Sequence, residues 1–171
     1  GRDIGPKSRD LWKPVIAAVQ GMACGGAFYM LGQTEFIIAS DDATFFDPHV
    51  TYGMTAAFEP IEMLSKMPLP EVMRMSLLGA HERMSAERAR EIGLVTEVVP
   101  RDDLLERAAW VARVIADSPA LVIQGTMRAL WTEARPAFTG DVYRFTDTLF
   151  EPKPTQPGGP PIWVGGNSAA A

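Results

Sequence analysis

The stretch Lys13-Pro14-Val15-Ile16-Ala17-Ala18-Val19-Gln20-Gly21-Met22-Ala23-Cys24-Gly25-Gly26-Ala27 decides the fold. Its residues 15–19 are an unbroken apolar run with β-branched members, the pattern of a strand buried on both faces. Strands of that kind belong to parallel sheets covered by helices. The small residues of 21–26 break the run, and 27–33 suits a short helix, so the unit reads strand, glycine-rich turn, helix. A strand that feeds a helix through glycines aims unpaired backbone N–H groups at one point, where the helix dipole also favours negative charge. The turn is therefore either a cradle for an oxyanion or a site of close strand-on-helix packing. It matches neither G-x-G-x-x-G nor G-x-x-x-x-G-K, the spacings of nucleotide-phosphate loops.

Working outward, 36–39 reads as a second strand and 43–46, after Asp41-Asp42, as a third. From Glu59 the pattern turns helical. A helix over 70–78 ends near Gly79, and Ser85 caps another that runs to Glu91 before Gly93 stops it. Residues 94–99 form a strand closed by Pro100. Asp102 or Asp103 caps a long helix with Leu104, Ala108, Val111, Ala112 and Ile115 on one stripe, and Ser118-Pro119 opens a last helix through about Trp131. Residues 151–161 carry too many prolines for a helix, and 162–164 reads as a short buried strand with no neighbour to pair with.

The chain has 171 residues, with 16 Lys+Arg against 21 Asp+Glu, which argues against a nucleic-acid binder. At 47% hydrophobic and 22% charged it has the composition of one soluble globular domain, and a cytoplasmic location is expected. A single cysteine, Cys24, and two histidines, His49 and His81, make neither an internal disulfide nor a metal cluster, so no metal is expected. No apolar run approaches the roughly 20 residues of a membrane-spanning helix.

KPVIAAVQGMACGGAF followed by ATFFDPHVTYG resembles the central segment of the crotonase superfamily, the enoyl-CoA hydratases and isomerases, with its usual KPVIAAVNGxAxGGG. LLGAHERMSAERAREIGLVTEVVPRDDLLERA is similar to the same family's LTGxxxSAxEAxxxGLVxxVVPxxxL pattern. The resemblance implies an α/β fold, a crotonase-like ββα spiral that is partial here, with a C-terminal helical packing region. Gly1-Arg2-Asp3-Ile4 matches the last four positions of the family's F-x-A-G-x-D-[LI], so the chain is expected to begin inside that motif. By the same resemblance the backbone N–H groups of Arg2 and Gly26 form the oxyanion hole for an acyl-CoA thioester, with Gly25 and Ala23 against the substrate. Coenzyme A then arrives as part of the substrate, and no separate cofactor is implied.

Family hydratases place one Glu three residues past the oxyanion glycine and another twenty further on. Those positions hold Tyr29 and His49 here, so ordinary hydration of a 2-enoyl-CoA is expected to be slow, each proton-transfer group being worth ~10²–10⁴ in rate. His49 is the candidate acid–base group, with Asp47 close enough in sequence to act on it; the alternative is a loop histidine bonded to backbone. Tyr29 lies one turn from Gly26. Glu59 is a third catalytic candidate whose alternative is a solvated N-terminal helical turn.

Three parts are expected: a core over 1–100, a helical region over 101–146 that self-associates as a trimer or dimer of trimers, and a Pro/Gly-rich tail over 147–171. FEPKPTQPGGPPIWVGGNSAAA in that tail is similar to a strand segment of luciferase-like flavin monooxygenases, so it is expected to be foreign or disordered. The function expected is enolate stabilisation on an acyl-CoA thioester. The alternatives are a non-catalytic acyl-CoA-binding homologue, an inactive fragment, or a piece of a monooxygenase fusion; neither nucleic acid nor membrane is expected as a partner.

Overall fold

The structure, a computed structural model, describes residues 4–134 and 162–165. The strands are β1 (Ile16–Val19), β2 (Met22–Cys24), β3 (Phe36–Ser40), β4 (Thr44–Phe46), β5 (Met84–Ser85), β6 (Glu97–Val99) and β7 (Ile162–Gly165). The helices are α1 (Ala27–Leu31), α2 (Phe58–Met63), α3 (Leu69–Leu78), α4 (Ala86–Glu91), α5 (Leu104–Ala116) and α6 (Ala120–Ala134). From β1 to β4 the chain passes alternately between two sheets, after which β5 stays with β4, and β6 and β7 return to the first. One is four-stranded in the order β6-β3-β1-β7, and the other is three-stranded in the order β2-β4-β5. All pairings in the first sheet are parallel; in the second, β2 and β4 are parallel and β5 runs against β4.

Strand geometry sends alternate side chains to opposite faces, and β1 buries both. Ile16 and Ala18, with Ile38, pack on Leu104, Ala108 and Ala112 of α5. Ala17 and Val19, with Ile37 and Ala39, join Phe28, Leu31, Phe45 and Met63 in the main core. Phe28 and Phe45, both at 0% exposure, each contribute about 1.5–3 kcal/mol from burial. At the end of α1, a Cβ on Gly32 would lie 2.8 Å from Glu62 Cβ and 2.9 Å from its carbonyl oxygen, so only glycine lets α1 meet α2 this closely.

A charged cluster is closed inside. Lys7 Nζ lies 2.7 Å from Glu35 Oε1, and the Lys7 side chain is 1% exposed. Glu35 also accepts from the Val15 amide at 2.6 Å and from the Trp131 indole at 2.7 Å. Lys66 donates to the Thr34 carbonyl at 2.5 Å and sits 5.2 Å from the Trp131 ring centroid. Burial pushes both lysine pKa values down, against the pull of Glu35.

The observed elements correct three expectations. The glycine-rich segment holds a strand, β2, which the flanking glycines disguise. Asp103 makes no side-chain cap; a short 3-10 turn over Arg101–Asp103 leads into α5 instead. Ser85 does cap α4, its hydroxyl accepting from the Arg88 amide at 3.2 Å. Residues 162–165, expected to lack a partner, pair in parallel with β1 from Ile16↔Ile162 to Val19↔Gly165, filling the edge of β1 that β3 leaves open. The rest of the 147–171 segment, like Arg2, lies outside the described residues. Among the described residues no helix is long and apolar enough to cross a membrane.

Candidate active site

Because β2 and β4 run parallel, their C-terminal ends open at the same edge of the second sheet. Gly25 leaves β2 with φ +49, a left-handed backbone that favours glycine, and its amide donates to the Phe46 carbonyl at 3.4 Å. Gly26 follows with φ −55 and ψ −18 and starts α1. Its N–H donates to no described backbone carbonyl, as expected at the open end of a helix. A Cβ at Gly26 would meet nothing within 4 Å, whereas one at Gly25 would lie 3.6 Å from His49 Cε1 and from Pro48 Cδ. The left-handed backbone, rather than crowding at 3.6 Å, is therefore what commits Gly25 to glycine. Ala23 turns its methyl into the core, so only its backbone remains for the site.

The chain leaving β4 delivers Asp47, Pro48 and His49 beside that turn. Asp47 is at 0% exposure. Its Oδ1 lies 2.5 Å from His49 Nδ1 and also accepts from the His49 amide at 3.2 Å. Its Oδ2 is buried without a hydrogen-bond partner among the described residues. On the other side of the ring, Glu59 Oε1 lies 3.6 Å from Nε2. The Asp47 hydrogen bond holds the His49 pKa above its ordinary value, with the Asp47 and Glu59 charges adding and partial burial opposing.

Glu59 is buried, not part of a solvated turn as its position at a helix start suggested. Its burial comes from the close seating of α2 on α1 at Gly32, which no local pattern reveals. Tyr29 is half-buried on α1, and the two ring nitrogens of His49 face Asp47 and Glu59. Cys24 is half-buried; burial raises its pKa, and Arg83 and Asp47 act on it from opposite directions. His81 is exposed on a 3-10 turn over Gly79–His81. Among the described residues no three His, Cys, Asp or Glu groups are placed to hold a metal ion.

A cleft of about 380 Å³ is walled by Val50 and Pro60, the sequence neighbours of His49 and Glu59, with Met54 and with Val72 and Ser76 of α3. The lining is apolar apart from Thr55 and Ser76, and the Ser76 hydroxyl is buried without a hydrogen-bond partner among the described residues.

Two sheets with outer helices, and a glycine turn and a carboxylate-bonded histidine at one strand edge, define a protein of the crotonase fold. The chain belongs to the enoyl-CoA hydratase/isomerase family, whose model matches residues 6–155. A carnitinyl-CoA dehydratase from Salmonella typhi is 36% identical over 114 residues, 67% of this chain and 43% of that protein. The Salmonella arizonae protein of the same name is 33% identical over 136 residues, 80% of this chain and 51% of its own. The chain thus spans about half the length of the curated relatives it matches. Among solved structures, an enoyl-CoA hydratase/isomerase from Mycobacterium paratuberculosis superimposes with a TM-score of 0.69 at 41% identity, covering 75% of this chain and 51% of that one. A carnitinyl-CoA dehydratase from Mycobacterium avium 104 does so with a TM-score of 0.64 at 33% identity, covering 70% and 46%.

Proposed function

We propose that this chain carries the acid–base half of an enzyme that acts on an acyl-CoA thioester by stabilising its enolate. One observation carries the reading: the Gly25–Gly26 turn and the Asp47–His49 pair emerge at one sheet edge, tied by the Gly25 amide on the Phe46 carbonyl. Polarising the thioester carbonyl on fixed N–H donors stabilises the negative charge that develops when a proton leaves the α-carbon. His49 takes that proton. Gly26 supplies one donor, and Arg2 is the expected second. The apolar cleft beside His49 and Glu59 takes the acyl chain, and coenzyme A enters with the substrate.

The dehydratase relatives support elimination of water from a hydroxyacyl thioester, in which a base at the α-carbon works beside an acid at the departing hydroxyl. His49 and Glu59 are the adjacent groups able to divide those tasks. The enzyme reading is preferred to a non-catalytic binder because an imidazole set between two carboxylates is more than binding needs. Self-association as a trimer or dimer of trimers belongs to the same proposal. Leu105, Trp110 and Val114 of α5 and Leu121, Val122 and Leu130 of α6 are exposed, an outward apolar surface that a second copy would cover. So does a cytoplasmic location.

The test is turnover of carnitinyl-CoA and crotonyl-CoA by the whole protein and its His49→Ala variant. The variant is expected to lose about 10²–10⁴ in kcat with KM little changed, the mark of an interaction made in the transition state. Crotonyl-CoA hydration is expected to be slow, since Tyr29 and His49 replace carboxylates. An unaffected variant, or no binding of any acyl-CoA, overturns the proposal.

A further inference from the structure

We infer that Asp47 is the positioning residue of this site, holding His49 with its proton on Nδ1 so that Nε2, beside Glu59, is the atom that exchanges a proton with a ligand. The inference rests on the acid–base reading of His49 and adds the atom, the tautomer and the residue that sets both.

The two ring nitrogens are engaged unequally. At 2.5 Å, Nδ1 and Asp47 Oδ1 are within hydrogen-bond distance. At 3.6 Å, Nε2 and Glu59 Oε1 are not, so Nε2 keeps its lone pair for another partner and Glu59 acts on the ring through space. An ionised carboxylate accepts and never donates, so the short contact places the hydrogen on Nδ1. The same Oδ1 accepts the His49 amide, fixing backbone and ring from one atom.

Asp47 has further reason to favour a cation at His49. It is at 0% exposure, and His49 supplies both of its hydrogen bonds described here. A buried carboxylate is costly without a compensating charge, and the imidazolium is the nearest one. The charged or titratable groups that act on the pair or on Cys24 beside it include, among the described residues, Glu59 of α2, Cys24 of β2 and Arg83 next to β5, whose guanidinium lies 4.7 Å from the Phe46 ring centroid. Arg83 thus faces β4 over Phe46, one residue before Asp47.

The step balances simply. The α-carbon of the ligand gives its proton to Nε2 and keeps the electron pair as an enolate. The ring becomes an imidazolium between Asp47 and Glu59, and return of the proton from Nε2 regenerates the neutral Nδ1–H form.

The experiment is nitrogen-detected NMR of the whole protein labelled with ¹⁵N-histidine, in which His81→Gln leaves His49 as the one remaining histidine of the two in the sequence. The neutral ring is expected as the Nδ1–H tautomer with a titration midpoint above about 6.5. Asp47→Asn, which can donate to Nδ1, is expected to move the hydrogen to Nε2 and bring the midpoint to about 6.5 or below. The same variant is expected to lose about 10²-fold or more in kcat with KM little changed. Asp47→Glu is expected to restore part of both, and Glu59→Gln to lower the midpoint while keeping the tautomer.

An unchanged tautomer and midpoint in Asp47→Asn overturns the inference. Should that variant fail to fold, an Nε2–H tautomer in the unmodified protein overturns it equally. The expected NMR response without turnover of any acyl-CoA supports the hold of Asp47 on the ring and overturns the thioester reading instead.

Discussion

Replacing Glu35 by Gln removes the charge that holds a cation in the protein interior. Lys7 Nζ lies 2.7 Å from Glu35 Oε1, with 1% of the lysine side chain and 11% of the glutamate exposed. The carboxylate also fastens the start of β1 through the Val15 amide and α6 through the Trp131 indole. Gln keeps the shape and one acceptor oxygen, yet leaves the ammonium groups of Lys7 and Lys66 facing each other without their common counter-charge. Breaking a buried pair from one side costs about 3–5 kcal/mol. At about 2–4 °C per kcal/mol for a chain of this size, the melting temperature falls by roughly 6–20 °C.

Calorimetry and urea unfolding of the parent, Glu35→Gln, Lys7→Met and the double variant make the measurement. The double variant should sit above Glu35→Gln, because it leaves one buried cation fewer without a partner. The pH dependence has a definite sign. Burial lowers both lysine pKa values, so the unfolded chain binds those protons more tightly. Stability therefore rises with pH from the folded pKa toward the unfolded value near 10.4. Removing Glu35 lowers the folded values further, so the deficit of Glu35→Gln should be smaller at pH 10 than at pH 7. A loss under about 1 kcal/mol, against the 3–5 expected, or a deficit that grows with pH, refutes the reasoning.

Gly25→Ala forces an L-residue into the left-handed region beside the His49 ring and should cost about 1–2 kcal/mol in urea unfolding, along with much of the turnover. Gly26→Ala, with open space at Cβ and φ −55, should stay within about 1 kcal/mol of the parent; equal losses at the two positions would contradict the geometry. Deleting residues 151–171 removes β7 from the β1 edge and should lower the melting temperature by about 2–4 °C for each kcal/mol of pairing lost. No change in that scan would mean that the pairing contributes nothing. Sedimentation of the whole protein should show self-association, and a clean monomer at micromolar concentration would remove the role given to the outer residues of α5 and α6.

Much of the fold was legible in the chain because its signals are local. The apolar run at 15–19, the stripe from Leu104 to Ala112 and the Ser85 cap each express a rule that acts within a few residues. Asp47 and His49 were legible together for the same reason. Glu59 was not: its neighbours show a helix start, while its burial follows from Gly32 admitting α2 against α1. β2 escaped notice because three residues between glycines carry too short an alternation to be read as a strand. The partner of 162–165 lay hidden since pairing with β1 is set by an open edge far away in sequence. The Lys7–Glu35–Lys66 cluster was invisible on similar grounds, its members being brought together only when the N-terminal turn, the start of β3 and the turn after α2 close on one another.

The rung between Gly25 and Phe46 makes the two parallel strands a fixed gauge. Whatever side chain stands two or three residues beyond Phe46 arrives at a constant offset from the glycine turn, since backbone pairing sets that offset without reference to side-chain identity. On the function proposed above, proton-transfer chemistry is exchanged like a tool in a holder: imidazole takes the place of a carboxylate while the N–H groups of the glycine turn stay put. The group that faces the turn then changes by substitution at a few positions, with no rebuilding of the turn itself.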